Sequence, residues 1–276
     1  NLEICRQRAT GDILFMMGAD DVLARGALKR TVDAFQDPDV GAVTRAFFWF
    51  DDDIKHPVRA LAPMNMDRDQ TIRITDDFER VCAVFHTLGQ MSGLALRREF
   101  VERPCHDGIF TAHISPFVSV FKKHPVVCLS GHTLAVRTQT SQCRTTSSTY
   151  DTSPTQNWID MYAVVFSEPE FQDLRRRLIY SQLATNYLGL VQIRNYSNLP
   201  NLIKEIRLLV RCRLRNLISP TFWFFALGTI IMPPCLLIPL VDWYKSKIHS
   251  LNCRDIEFEY DLIAETGATT SGTATK

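Results

Sequence analysis

The stretch GDILFMMGADDVLARGAL, residues 11–28, is an apolar, strand-like run that stops on two adjacent aspartates. Ile13 to Met17 has the uninterrupted apolar character of a strand buried on both faces of a parallel sheet. Asp20 and Asp21 then stand where open α/β sheets hold ligands, at the carboxyl end of a strand. Gly18 and Ala19, just before them, leave room for a bulky group to approach the backbone. Two readings follow. Asp21 caps a helix whose Leu28, Val32 and Phe35 share a face, an ordinary contribution of roughly 0.5–2 kcal/mol. Alternatively, the pair holds a divalent cation against a phosphate; such an ion needs only one or two protein carboxylates when phosphate and water complete its shell. On spacing alone both readings stand.

The surrounding pattern gives the fold class. "DPDVG" (37–41) is a turn, and "AVTRAFFWF" (42–50) is a second strand rich in β-branched and aromatic residues. Strand, helix, strand implies a right-handed crossover and an α/β sheet. Further on, "DDFERVCAVFHTL" (76–88) reads as an amphipathic helix with Phe78, Val81, Phe85 and Leu88 inward. "SGLALRREF" (92–100) reads as a short strand and turn, Ser115-Pro116 as a helix start, and "PVVCLSGHTLAVR" (125–137) as a strand or hairpin. Residues 138–157 are rich in Ser and Thr without apolar periodicity, as expected of a lid-like loop. Helices dominate from Trp158 to Asn216, and the low-complexity end is expected to be disordered.

Composition excludes some classes. The 276 residues carry a formal net charge of +1, so nothing global points to nucleic acid. The eight cysteines include no CxxC pair, and Cys105, His106, His113, His124 and His132 lack the paired spacing of structural zinc sites. Scattered cysteines among apolar neighbours suit a reducing compartment. Asp51-Asp52-Asp53 ends a strand beside Lys55 and reads as a solvated turn.

With these residues in view, the first fifty positions resemble the centre of a glycosyltransferase family 2 domain. The matches are Asn1, Ala9-Thr10-Gly11, the strand Ile13 to Met17, Gly18-Ala19-Asp20-Asp21, and Arg25-Gly26-Ala27-Leu28. Gly18 replaces the first aspartate of the usual acidic motif, as in the G-x-D-D variant of the abequosyltransferase-like group. The resemblance implies a GT-A-like doubly wound mixed sheet, incomplete at its N-terminus, followed by a C-terminal helical, membrane-associating region. It implies a nucleotide-diphospho-sugar donor bound by Gly18, Ala19 and Asp20, with Mg²⁺ or Mn²⁺ on Asp20 and Asp21. It also implies transfer to the hydroxyl of a saccharide or lipid-linked acceptor with inversion. A base is then needed on the face opposite the leaving diphosphate, and the resemblance carries that role to His113 and to Asp107 in "CHDGIFTAHISPF" (105–117). A histidine beside a helix N-terminus is favoured in its neutral, proton-accepting form. A backbone-bonded His113 and a turn-forming Asp107 are the structural alternatives.

Beyond residue 150 the expectation is a helical extension over 151–216, an apolar membrane-associating segment over 217–248, and a tail over 249–276. Lys204, Arg207, Arg211 and Arg215 recur at helical spacing beside an apolar stripe of Ile203, Ile206, Val210, Leu214 and Leu217. Leu217 to Val241 follows without a charge, broken by Pro233, Pro234 and Pro239. A membrane-associated protein with its catalytic part facing the cytosol fits this pattern, by an interfacial segment, a true span, or a soluble helix used otherwise. Strands that clasp the nucleotide base ahead of the A-x-G step are not in this chain. The competing expectation is therefore a truncated, non-catalytic relative kept as a membrane-bound partner.

Overall fold

The computed structural model describes residues 2–138, 149–248, 250, 253 and 255–261. One mixed sheet, preceded by helix α1 (Leu2–Arg8), organises the first half. Its strands are β1 (Ile13–Phe15), β2 (Val22–Leu23), β3 (Ala42–Phe50), β4 (Pro57–Ala60), β5 (Gln70–Ile72), β6 (Ala95–Arg97) and β7 (Val126–Arg137), in the order β1-β6-β3-β7-β2, with β4 beside β3 and β5 beside β7. The long strands β3 and β7 run parallel, and their pairing slips twice around Ala46. All other pairings are antiparallel.

Two expectations for the opening stretch change here. The strand is short, lies at one edge of the sheet, and pairs antiparallel with β6 rather than sitting among parallel neighbours. Only Leu14 of its three residues is buried, in the main core, while Ile13 and Phe15 are half-buried against the cluster around Phe35 and Val43 on the other face. The chain then makes the short strand β2 before any helix. Helix α2 (Ala27–Ala34) starts five residues later than a cap at Asp21 requires; its N-cap is Gly26, at φ +74. Its buried face is Ala27, Thr31 and the adjoining Phe35, while Leu28 and Val32 are exposed. The reason is polar: the buried Arg45 beneath it donates to Thr31 Oγ1 at 2.6 Å, which fixes that face inward.

Helices α3 (Phe78–Thr87), α4 (Ile114–Phe121) and α5 (Pro154–Val165) supply the main core. Val81, Phe85 and Leu88 face inward as their spacing predicts, and every residue of α4 is buried. Phe85 packs edge-on against Tyr162 of α5 with ring centroids 5.7 Å apart. Helix α5 thus belongs to the core of the sheet, although the expected division at residue 150 assigns it to an extension. It begins at Pro154 because Ser153 caps the amide of Gln156. The end of the expected loop is therefore helical, and its residues 139–148 lie outside the described ones.

The remaining helices are α6 (Gln172–Ser181), α7 (Leu188–Tyr196), α8 (Leu199–Cys212), α9 (Pro220–Ile231) and α10 (Pro234–Lys247). A second apolar cluster joins α7, α8 and α9 through Leu190, Ile193, Leu202, Leu209, Phe222 and Ala226. Helix α8 stops at Cys212, so Leu214 and Leu217 leave the expected stripe and are exposed. Among the described residues no helix is long and apolar enough to cross a membrane. Part of the expected tail is ordered against the sheet. In residues 255–261, Ile256, Phe258 and Tyr260 alternate with acidic residues; Phe258 meets Phe48 at 5.0 Å, and Arg25 N donates to Glu259 O at 2.7 Å.

Candidate active site

The turn between β1 and β2 carries both aspartates. Asp21 is half-buried and bonded from three directions. Ser92 Oγ and Gln90 Nε2 donate to Oδ2, the latter at 3.0 Å, and the amide of Arg137 donates to Oδ1 at 3.0 Å. None of these donors belongs to α2, so Asp21 does not cap that helix. Burial raises the Asp21 carboxyl above its ordinary pKa; the bonds from Ser92, Arg137 and Gln90 act against that rise, and the neighbouring Asp20 charge adds to it. Asp20 is half-buried and Ala19 is exposed.

Gly18 is required here by space rather than by backbone angle. A Cβ on it would lie 2.8 Å from Asp21 Oδ2, 3.1 Å from Ser92 Oγ and 3.4 Å from Asp20 Oδ1. Its amide donates to Ser92 Oγ at 2.8 Å. The space that a side chain at position 18 would take is thus filled by the carboxylate of Asp21 and the Ser92 hydroxyl.

Residues 88–94 tie this turn to the rest of the sheet. Gly93 N donates to Met16 O at 2.8 Å, and Leu94 O accepts from Met16 N at 2.9 Å. Leu88 O accepts from Nε2 of His113 at 2.9 Å, so His113 and Asp21 hold two ends of one loop. His113 is buried, and burial keeps its imidazole below the ordinary pKa despite the carbonyl that favours the charged form. That geometry matches the backbone-anchoring alternative for His113. Asp107 lies elsewhere in the same segment, exposed, with no hydrogen bond or ion pair to any described residue. Its loop is stiff: Thr111 Oγ1 and Phe110 N donate to Asn157 Oδ1, at 3.1 and 3.2 Å, and a Cβ on Gly108 would collide with the Asn157 amide at 2.4 Å.

Arg45 escapes sequence reasoning because an isolated arginine in a strand reads as a solvent-facing residue. It is only 1% exposed, under the loop that carries Ser92. Its Nε donates to Gly93 O at 2.8 Å, and its NH1 has no partner among the described residues. Burial, with a smaller push from Arg30, lowers its pKa to about 10. Gln90 and Ser92 were likewise invisible as site residues; the only local signal was the Ser-Gly turn dipeptide.

A divalent cation can be tested against this donor set. A carboxylate offers about four acceptor positions, and three of those on Asp21 are taken, so Asp21 keeps one, beside the half-buried carboxylate of Asp20. Among the described residues no group of three or more His, Cys, Asp or Glu converges. That set fits an ion whose shell is completed by phosphate and water, and it does not fit an all-protein cage. Two cavities lie away from the turn. One of about 510 Å³ is bounded by Arg25, Arg30, Ser130, His132, Asp255 and Glu257, and one of about 160 Å³ is bounded by α3 and the segment 61–64.

No protein-family model matches this sequence, and no curated protein matches it. Among solved structures, the chain is similar to S. aureus TarS residues 1–349, crystallised in complex with UDP-GlcNAc. The two share 10% identity over 87% of this chain and 70% of that one, with a TM-score of 0.48. At that identity and score the likeness carries no weight for the site, which rests on the geometry of the aspartate turn.

Proposed function

We propose that the protein is a glycosyltransferase that moves a sugar from a nucleotide-diphospho-sugar to an acceptor hydroxyl with inversion. The observation that carries this reading is the construction of the aspartate turn: Asp21 is locked by Ser92, Gln90 and the Arg137 amide, at the end of a strand, and is not spent on capping a helix. The resemblance of residues 1–50 to family 2 glycosyltransferases supports the same assignment.

In this reading Asp20 is the principal ligand of Mg²⁺ or Mn²⁺ and Asp21 the secondary one. Held there, such an ion would supply positive charge against the negative charge that develops on the diphosphate as the sugar leaves. Gly18 and Ala19 give the donor access to the backbone. The acceptor oxygen forms the new bond to the anomeric carbon while the bond from that carbon to the phosphate oxygen breaks, and the electron pair leaves with the nucleoside diphosphate. The acceptor proton passes to a carboxylate on the opposite side. Asp107 suits this role, since its carboxylate is exposed, unengaged and carried on a stiff loop. His113 anchors the loop that holds Asp21.

The alternative is a non-catalytic relative that keeps the fold as a membrane-bound partner. Isothermal titration of the chain with uridine, guanosine and cytidine diphosphates in the presence of Mn²⁺ separates the two. Saturable binding of at least one, abolished by a chelator, supports the transferase. No binding of any supports the non-catalytic relative.

A further inference from the structure

The segment after α8 leaves an unusual amount of apolar surface in the open. In the turn Leu214–Ile218, Leu214 is 70% and Ile218 79% exposed. Helix α9 buries Phe222, Ala226 and Thr229, which leaves Trp223, Phe224, Leu227 and Ile231 outside as one stripe at helical spacing. The polar edge of Trp223 is already satisfied, since its Nε1 donates to Leu217 O at 2.8 Å. Isolated exposed apolar residues are normal, but a contiguous group of this kind marks an interaction surface.

Charge identifies the occupant. Lys204, Arg207, Arg211 and Arg215 are exposed on the chain leading into this stripe. Between residues 199 and 241 the one carboxylate is Glu205. It is 2% exposed and turned inward, where Ser153 Oγ and, at 3.2 Å, Thr155 N donate to it. A second copy packed symmetrically on this face would set like charges together with no acid to pair them. A surface offering both anionic groups and hydrocarbon complements it, as does the headgroup region of an anionic bilayer. Helix length sets the mode. Helix α9 has 12 residues and α10 has 14, separated by a break at Pro233 and with Pro239 inside the second. At 1.5 Å per residue each is roughly 20 Å long, short of the ~30 Å hydrocarbon core.

We infer that the turn Leu214–Ile218 and the outer face of α9 lie in the interface of an anionic membrane, with Lys204, Arg207, Arg211 and Arg215 on its headgroups, parallel to the bilayer and not through it. This stands independently of the transfer chemistry. Flotation of the 276-residue chain with vesicles tests it, using phosphatidylcholine alone and phosphatidylcholine with about one third phosphatidylglycerol. The chain is expected to float with the anionic vesicles, weakly with the neutral ones, and less as salt is raised. The double variant Ile218→Asp/Phe224→Asp changes only exposed positions, so circular dichroism should be unaltered while flotation is lost. Arg207→Ala/Arg211→Ala/Arg215→Ala should weaken binding about 100-fold, at about 1 kcal/mol for each cation near the surface. Three results overturn the inference. They are wild-type protein that stays at the bottom of the gradient, a double variant that floats like wild type, or a wild-type dimer that Phe224→Asp converts to monomer.

Discussion

Replacing Gly18 with alanine probes the aspartate turn without touching a charged group. The backbone at Gly18 is not in the left-handed region, which among the described glycines holds only Gly26, Gly93 and Gly131. On conformational grounds alone, then, alanine should stabilise the protein by about 0.4–1 kcal/mol through the unfolded chain. The structure predicts the opposite sign. The new methyl would stand 2.8 Å from Asp21 Oδ2, and that oxygen cannot yield freely, because Ser92 and Gln90 both donate to it. Hydrogen bonds to a charged acceptor are each worth about 1.5–3 kcal/mol when buried. Asp21 is half-exposed, so the pair together is worth about 2 kcal/mol. Set against the gain in the unfolded state, Gly18→Ala should lose about 1.5 kcal/mol in urea unfolding. Ser92→Ala removes one of the same bonds, so the double variant should cost less than the sum of the singles. Gly18→Asp should be worse than Gly18→Ala, since it adds a like charge beside Asp21. A Gly18→Ala protein as stable as wild type, or more so, would refute this account of how the turn is built.

Arg45→Met should cost about 1–2 kcal/mol in urea unfolding. It loses the bonds to Gly93 O and Thr31 Oγ1, each worth about 1.5–3 kcal/mol, but recovers about 3 kcal/mol of the cost of holding a charge whose pKa burial has drawn from 12.5 to about 10. A loss above about 4 kcal/mol would reveal a buried ionic partner for Arg45. Gly93→Ala should be more damaging than Gly26→Ala. Both have positive φ, but a Cβ at Gly93 meets Arg45 Cδ at 2.7 Å whereas one at Gly26 meets nothing within 4 Å; equal losses in thermal unfolding would contradict the packing described. Stability should also fall as pH drops below about 6.5, because the unfolded chain then takes up protons that His113, held neutral by burial, does not. His86 and His132 share that sign, so His113→Gln should reduce the acid slope without abolishing it; an unchanged slope would mean that His113 protonates in the folded protein.

What could be read in the sequence follows the strength of local signals. Strands β3 and β7 and helices α3 and α4 carry dense apolar patterns and lie where those patterns place them. The edge position of β1 was not legible, since an apolar run has the same composition whether its neighbours are parallel, antiparallel or missing on one side. The capping role offered to Asp21 failed because residues 22–23 pair with β7, a tertiary contact that no local rule contains. The fixing partners of Asp21 come from positions 90, 92 and 137, far away in the chain, and a hydrogen bond between distant segments leaves no periodic trace. Arg45 shows the same limit more sharply: one charged residue inside "AVTRAFFWF" reads as solvent-facing, yet its guanidinium is the floor of the loop behind the site. The alternation of acidic and apolar residues over 255–261 is a period of two, but it is short and stands next to the low-complexity end, so its local signal is weak.

The central claim is that Asp20 presents a divalent cation to a nucleoside diphosphate. Electron paramagnetic resonance of Mn²⁺ reports it directly, because the sharp signal of the free ion disappears on binding. Wild-type protein with the nucleoside diphosphate selected by titration should quench that signal well beyond the nucleotide alone, and Asp20→Asn, correctly folded, should weaken the quenching at least about tenfold. Equal quenching by wild type and Asp20→Asn would contradict the account.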